Sequence, residues 1–245
     1  MWDWGAFFHY LFSSYLLIGA GITLALSLSS LAIGLVCGTL AALMRMSSRW
    51  YLNKPASFYI WLMRGTPVLV QLVIIYNALP RLGIVLNVVW CSLLGLSLNE
   101  GAYLAEIIRA GIASVDSGQT EAAKSVGMTY ALLMRRIVLP QATRFVIPPL
   151  GNEFNAMLKN TTLVSVIGVP ELLLTTETLT SATFRVFELY SVVALYYLTL
   201  TTLWGLVQSR IERRFAEPTR STAATPGFGE RFFGSVLARA ARKKA

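Results

Sequence analysis

Charged residues make up only 13% of the 245 positions, histidine occurs once, at His9, and cysteine twice, at Cys37 and Cys91. Each scarcity excludes something. Both cysteines fall inside long apolar stretches, so they do not suggest a disulfide framework, and without histidine neighbours they make no metal site. No metal or cofactor is therefore expected, and His9 is read as interfacial. The chain has no Gly-x-Ser-x-Gly elbow and no His-Glu-x-x-His pair, which leaves a membrane enzyme the weakest reading. It also has no Gly-x-x-x-x-Gly-Lys-Ser/Thr phosphate loop, so nucleotide hydrolysis by that route is not expected of it.

What is abundant is apolar: 55% of the residues are hydrophobic, too many, with too few charges, for an ordinary soluble domain. The charges are clustered, which leaves uncharged runs from Tyr10 to Met44, Leu82 to Asn99 and Leu189 to Ser209, each near or above the ~18–20 residues needed to cross a bilayer. The fold class that follows is an all-α integral membrane protein. A secretory leader needs a basic start and a short apolar run, whereas Asp3 stands near the start and no Lys or Arg precedes Arg45. The first segment is therefore expected to stay in the membrane.

The net charge of +9 is distributed as a topology signal rather than as a nucleic-acid patch. Arg45, Arg49, Lys54 and Arg64 fall on one side, with Arg109, Lys124, Arg135, Arg136 and Arg144 in a later loop on that side and nine more from Arg210 to Lys244. Because cytoplasmic loops are Lys/Arg-rich, this puts the N-terminus outside and the C-terminus inside, which requires an odd number of spans. Five are expected: about Tyr15 to Met44, Ser57 to Leu79, Ile84 to Gly111, Arg144 to Gly168 and Glu188 to Arg210. Gly19, Gly21, Gly34 and Gly38 give the first span small faces for close packing. Arg64-Gly65-Thr66-Pro67 is expected to bend the second. Few external residues remain apart from Val169 to Phe187. No internal repeat is present, so a transporter built of inverted halves within one chain is disfavoured and symmetry is expected from a second subunit. Residues 1–215 form the transmembrane unit. Residues 216–245 form a cytoplasmic tail in which Phe232, Phe233, Val236, Leu237 and Ala240 share a helical face among basic residues, a pattern that suits an anionic leaflet or a solvated tail.

Between the third and fourth spans, from about 112 to 143, the chain reads as two short helices. Asp116 caps the first, with Gln119 three residues on, Glu121 sits near its positive end and Gly127 suits a left-handed stop. Pro140 is expected to close the second. Ala122, Ala123 and Val126 give the first helix a slim apolar face, fit to enter a groove on another protein.

The pattern Glu121-Ala122-Ala123, then Gly127, then Ile137, Leu139 and Pro140 resembles the cytoplasmic coupling loop of permeases in binding-protein-dependent, ATP-driven (ABC) importers. Met63-Arg-Gly-Thr-Pro-Val-Leu-Val-Gln-Leu72, Asn99-Glu-Gly-Ala-Tyr-Leu-Ala-Glu-Ile-Ile-Arg-Ala-Gly111, Pro148-Pro-Leu-Gly-Asn-Glu-Phe154 and Lys159-Asn-Thr-Thr-Leu-Val-Ser-Val-Ile-Gly-Val-Pro-Glu171 narrow the resemblance to the polar amino acid permeases over roughly residues 15–215. Asn99-Glu100 departs from it, since small or uncharged residues are commoner there, and the tail beyond about Pro218 has no counterpart. The resemblance implies a five-helix core paired with an identical or homologous permease, two ATPase subunits beneath, an external solute-binding protein, a polar amino acid as cargo, a bacterial inner-membrane location, and the seven pattern residues as the ATPase-coupling contact.

The translocation path is expected along the fourth span, at Asn152, Glu153, Asn155 and Lys159, with Asn99 and Glu100 on the third. A charge facing lipid at depth costs at least ~2.5–3.5 kcal/mol, so these side chains must face protein or water. Scaffold contacts between helices are the competing reading, and Glu106 and Arg109, three apart, are expected to pair. Arg64 is placed at the cytoplasmic headgroups. A channel or secondary carrier for small polar solutes is the alternative function; copurification of an ATPase separates the two.

Overall fold

The computed structural model describes residues 2–215, and the basic tail of the sequence reading lies outside the described residues. Helices carry all the regular structure among them. A short helix α1 (Trp4–Leu11) is followed by α2 (Ser14–Met46), α3 (Trp50–Gly65), α4 (Val68–Arg81), α5 (Val88–Ala113), α6 (Ser117–Ser125), α7 (Tyr130–Leu133), α8 (Leu139–Asn160), α9 (Leu172–Thr183) and α10 (Val186–Phe215). Three of these, α2, α5 and α10, are single helices long and apolar enough to cross a membrane. Two bent pairs make up the rest: α3 with α4, turned by 108°, and the run from Tyr130 to Ile167 with α9, turned by 52°. Counting each pair as one span gives the expected five.

The small-residue face of α2 packs on α5. A Cβ added at Gly34 would stand 3.0 Å from Glu100 Cγ, and one at Gly38 only 2.8 Å from the Gly101 carbonyl oxygen. The backbones approach so closely because neither glycine has a side chain, the interhelical contact that small residues permit in lipid. Gly19 meets α9 at Leu172, whereas a Cβ added at Gly21 would meet nothing within 4 Å among the described residues.

The second expected span is broken by a 108° turn at the stretch where a bend was expected. Pro67 lacks an N–H and forces Thr66 into an extended conformation at φ −125°, ψ 146°, so α3 cannot run on into α4. The carbonyls freed at the end of α3 are taken by side chains instead. Gln71 Nε2 donates to the Met63 carbonyl at 2.9 Å and to the Thr66 carbonyl at 3.1 Å, and Asn99 Nδ2 of α5 donates to the same Met63 carbonyl at 3.0 Å. Tyr59 Oη donates to the Leu98 carbonyl at 2.6 Å, and Ile60 packs among Ala41, Ala42, Ala102 and Ala105, which seats α3 on both α2 and α5.

Two other boundaries differ from the sequence reading. Pro140 does not close a helix. Residues Met134–Val138 form a π-helical turn, with Leu139 N–H bonded to the Met134 carbonyl, and α8 starts at Leu139 with Pro140 in its first turn, where the missing N–H leaves no bond unmade. Beyond Asn160 a 3₁₀ segment (Thr161–Ile167) ends at left-handed Gly168, φ 91°, and the supposed external stretch from Val169 holds α9. Glu171, fully buried, caps α9 by accepting from Leu174 N–H at 2.8 Å, and Tyr197 of α10 donates to its other oxygen at 3.2 Å. Thr23 of α2 accepts from Leu172 N–H at 3.2 Å, so one buried polar knot joins α2, α9 and α10.

Candidate functional site: a coupling helix and a polar path

Helix α6 begins as expected at Asp116, whose Oδ1 accepts from Gly118 N–H at 2.6 Å. It ends in a Schellman motif: Gly127 takes φ +78°, its N–H bonds the Lys124 carbonyl at 2.9 Å, and Met128 N–H bonds the Ala123 carbonyl at 3.1 Å. The apolar face expected of Ala122, Ala123 and Val126 is divided. Ala123 is buried against Leu133 and Val138, with Ile137, Met128, Ile112 and Val115 packed around them. Ala122 and Val126, the latter 78% exposed, point away from this small core, as does Glu121. Of the seven pattern residues, then, Ala123 and Ile137 brace the loop, Gly127 shapes it, and Glu121, Ala122, Leu139 and Pro140 lie on its surface. The helical period explains the division: Ala122 and Ala123 are adjacent, about 100° apart around the axis, so they cannot share a narrow face.

Glu106 pairs with Arg109 as expected, Nη2 to Oε2 at 3.1 Å, but it also binds Arg45 from the end of α2, and Arg64 Nη1 stands 3.8 Å away. Three guanidinium groups thus share one carboxylate. Arg64 lies over the Tyr103 ring at 5.2 Å and lines an open pocket of about 410 Å³ with Arg45, Ser57, Ile60, Trp61, Gly65 and Tyr103. The headgroup position given to Arg64 omits this pocket, which the sequence does not reveal because its walls come from α2, α3 and α5.

The expected path residues separate into two groups. Asn99 is occupied at the α3–α4 break, bonding the Met63 carbonyl and, at 3.1 Å, Gln71 Oε1; Asn152 accepts from Gln208 Nε2 of α10 at 3.2 Å. Trp204 Nε1 donates to the Gly151 carbonyl at 2.8 Å, and its ring packs 4.3 Å from that of Phe154, so this side of α8 is a joint with α10. The other group is unoccupied by such contacts. Glu100 is 3% exposed and its Oε1 has no hydrogen-bond partner; Asn155 Oδ1 is likewise buried without one. Glu153 is half-buried, and Lys159 is exposed. Glu100 lies on α5 and Glu153 on α8, two helices that pack on one another. Gln71, Gln208 and Tyr59 are not singled out by the sequence; the prolines beside the partners of Gln71 and Gln208 point to the first two, and nothing local points to Tyr59, whose partner Leu98 sits inside α5.

The family described as "Binding-protein-dependent transport system inner membrane component" matches residues 34–217. The probable amino-acid ABC transporter permease protein YckA of Bacillus subtilis is 40% identical over 202 residues, covering 82% of this chain and 89% of that protein. The arginine transport system permease protein ArgU of Corynebacterium glutamicum is 37% identical over 238 residues, 90% of this chain and 74% of that one. Among solved structures, a crystal structure of an amino acid ABC transporter with histidines superposes with a TM-score of 0.82 at 42% identity, over 87% of this chain and 99% of the other. The match over three quarters of the chain, on a bundle of three single spans and two bent ones with a capped loop helix, makes this protein a member of the binding-protein-dependent transport system inner membrane components.

Proposed function

We propose that the chain is the membrane-spanning permease subunit of an ABC importer that carries polar amino acids across a bacterial inner membrane, with ATP hydrolysis in a separate subunit. The observation that carries this reading is α6: a helix held from behind by Ala123, stopped by left-handed Gly127, and presenting Glu121, Ala122 and Val126 outward. An exposed apolar residue such as Val126 beside a small one suits a groove in a partner, and the partner is an ATPase subunit, two of them serving a pair of permeases. Leu139 and Pro140 at the start of α8 belong to the same surface. An external solute-binding protein delivers the cargo. The basic residues Arg45, Arg109, Arg213 and Arg214 near the ends of α2, α5 and α10 support a reading with the loop and C-terminus on the cytoplasmic side and the N-terminus outside, in contact with lipid and not with nucleic acid.

The path for the cargo runs between α5 and α8 beside the α3–α4 break. Glu100 and Glu153 are its principal groups, with Asn155 and Lys159 on the neighbouring stripe of α8. Asn99 and Asn152 contribute by holding its walls, since their amides are taken by Met63, Gln71 and Gln208.

The reading is tested by expressing a tagged chain with its ATPase and binding protein, purifying the assembly and reconstituting it in liposomes. An ATPase should copurify, and radiolabelled amino acid should accumulate only with ATP inside and binding protein outside. Uptake that persists without ATPase and follows an ion gradient would make the chain a secondary carrier.

A further inference from the structure

Apart from the cargo path and the coupling loop, charge is out of balance around Glu106. Its carboxylate is the only one within ion-pair distance of Arg45, Arg64 or Arg109 among the described residues, and three cations on one anion leave an excess of two positive charges. Arg45 and Arg109 hold the carboxylate directly. Arg64 stands 3.8 Å from it, too far for a hydrogen bond, so its five N–H donors are left for another acceptor. The guanidinium is nonetheless held in place, 5.2 Å over the Tyr103 ring. Asn53 Nδ2 donates to the Arg45 carbonyl, which ties the first turn of α3 to the end of α2.

Arg45 and Arg64 both line the open pocket of about 410 Å³, a volume within the ~300–1,000 Å³ usual for small-molecule sites. Ser57, Trp61 and Tyr103 line it too, each carrying an O–H or N–H donor, and no carboxylate does. Donors gathered around uncompensated guanidinium groups suit an anion whose oxygens accept several hydrogen bonds at once, as those of a phosphate do. The pocket also lies at headgroup depth: Arg45 is in the last turn of α2, a single span, where basic side chains reach the membrane surface. From Trp61 on the pocket wall an aromatic stripe runs back along α3. Trp50, Phe58 and Trp61 are all exposed, with the Phe58 and Trp61 rings 5.7 Å apart, and the three fall within about 80° around the helix.

We propose that this pocket binds the phosphate of an anionic phospholipid, Arg64 and Arg45 taking its oxygens while the acyl chains lie along Trp61 and Phe58. A free phosphate has the same chemistry and satisfies the arginines, but it leaves the aromatic stripe uncovered. A zwitterionic phospholipid covers the stripe but brings its own cation into a cluster that already carries two in excess. A lipid of net negative charge meets both requirements. Each basic residue near a membrane surface adds to the attraction for such lipids, and here two converge on one pocket. The site is built from α2, α3 and α5 alone, so it stands whichever cargo the chain carries.

The test uses the purified full-length chain, with the subunits that copurify with it, in mixed detergent–lipid micelles. Tryptophan quenching by brominated phosphatidylglycerol is compared with quenching by brominated phosphatidylcholine, and the part that disappears in Trp61→Phe reports the pocket. Phosphatidylglycerol should half-quench that part at a mole fraction about tenfold or more below that of phosphatidylcholine, as two uncompensated arginines require. Arg64→Gln should bring the two lipids together, since Arg45 and Arg109 still hold Glu106 in that variant. Arg64→Lys should keep an intermediate preference, because an ammonium supplies the charge without the fork; gel filtration checks that each variant assembles. Equal quenching by the two lipids, a preference that Arg64→Gln leaves in place, or no Trp61 component at all, as when a partner subunit covers the stripe, overturns the proposal. Release of brominated phosphatidylglycerol by sodium phosphate or glycerol 1-phosphate would assign the pocket to a soluble phosphate and overturn the lipid as its occupant. If no ATPase copurifies, the transport reading fails while this measurement still decides the site.

Discussion

Asn99 and Gln71 bond one another at 3.1 Å, and both donate to the carbonyl of Met63, the residue at which α3 gives way to the α3–α4 break. The two amides act as a clasp. They replace, for a chain that turns by 108°, the helical bonds that Pro67 prevents.

Removing the clasp should therefore loosen the fold before it alters selectivity. Gln71→Leu leaves the Thr66 carbonyl without its side-chain donor and Asn99→Leu leaves Gln71 Oε1 without one, a loss of about 1–3 kcal/mol in each case. The measurement is the melting temperature of the assembled complex, expected to fall in both variants. A normal melting temperature with changed cargo preference in Asn99→Leu would return that residue to the path.

In the coupling loop, Gly127→Val forces a β-branched side chain to φ +78°, a conformation costing such residues at least about 1–2 kcal/mol, and Glu121→Lys reverses a charge on the exposed surface. Substrate-stimulated ATPase and uptake should both fall severalfold in liposomes while insertion is unchanged. Full coupling in both variants would remove the docking role.

Topology is accessible to single-cysteine labelling in a Cys37/Cys91-free background. A membrane-impermeant reagent applied to intact cells should label Thr178→Cys on α9 and spare Ser117→Cys on α6. The reverse pattern would invert the orientation.

At the N-terminus, Arg185 donates to Asp3, which also caps α1 through Ala6 N–H at 3.0 Å, while Asp3 N–H donates to Glu188 Oε1 at 3.0 Å. The Arg185 bond holds the Asp3 carboxyl below its ordinary value of 3.8, followed in effect by the Ala6 bond. A carboxyl whose pKa is depressed in the folded state stabilises it above the unfolded value and loses that contribution as pH falls through the depressed one. The docking of α1 should thus be insensitive to pH above 3.8 and weaken in acid below it, read from quenching of Trp2 and Trp4. Asp3→Asn should weaken docking at neutral pH and flatten the acid response. An unchanged acid profile in that variant would show the response to come from Glu188.

The spans and the loop helix were legible because hydrophobic runs, caps and a left-handed glycine are local: Asp116 and Gly127 act within a few residues of themselves. The packing of Gly34 and Gly38 followed from composition alone. What sequence could not give was partnership across helices. Asn99 reads as a polar group in search of a cargo until Met63 is seen beside it, and Asn152 likewise until Gln208 is. Arg109 was correctly matched to Glu106 because it is three residues away; Arg45 and Arg64, distant in the chain, were not. Pro140 was misread as a stop because a proline after an apolar run ends one helix or begins another with the same local signature. Helix α1 and the α9 segment were missed because eight and twelve residues are too few to stand out by hydropathy.

The π turn at Met134–Val138 makes the loop and α8 one rod with a soft point rather than two elements joined by slack chain. From Met134 to Glu153 that rod extends about 28 Å at 1.5 Å per residue, so under the proposed coupling role a displacement at its loop end would be carried to Glu153 as a lever stroke. Its angular setting is equally strict. One residue inserted between Met134 and Val138 would turn everything beyond it by about 100°, swinging Glu153 to another side and pulling Val138 off Ala123, so the loop helix would lose its brace as the shaft fell out of phase.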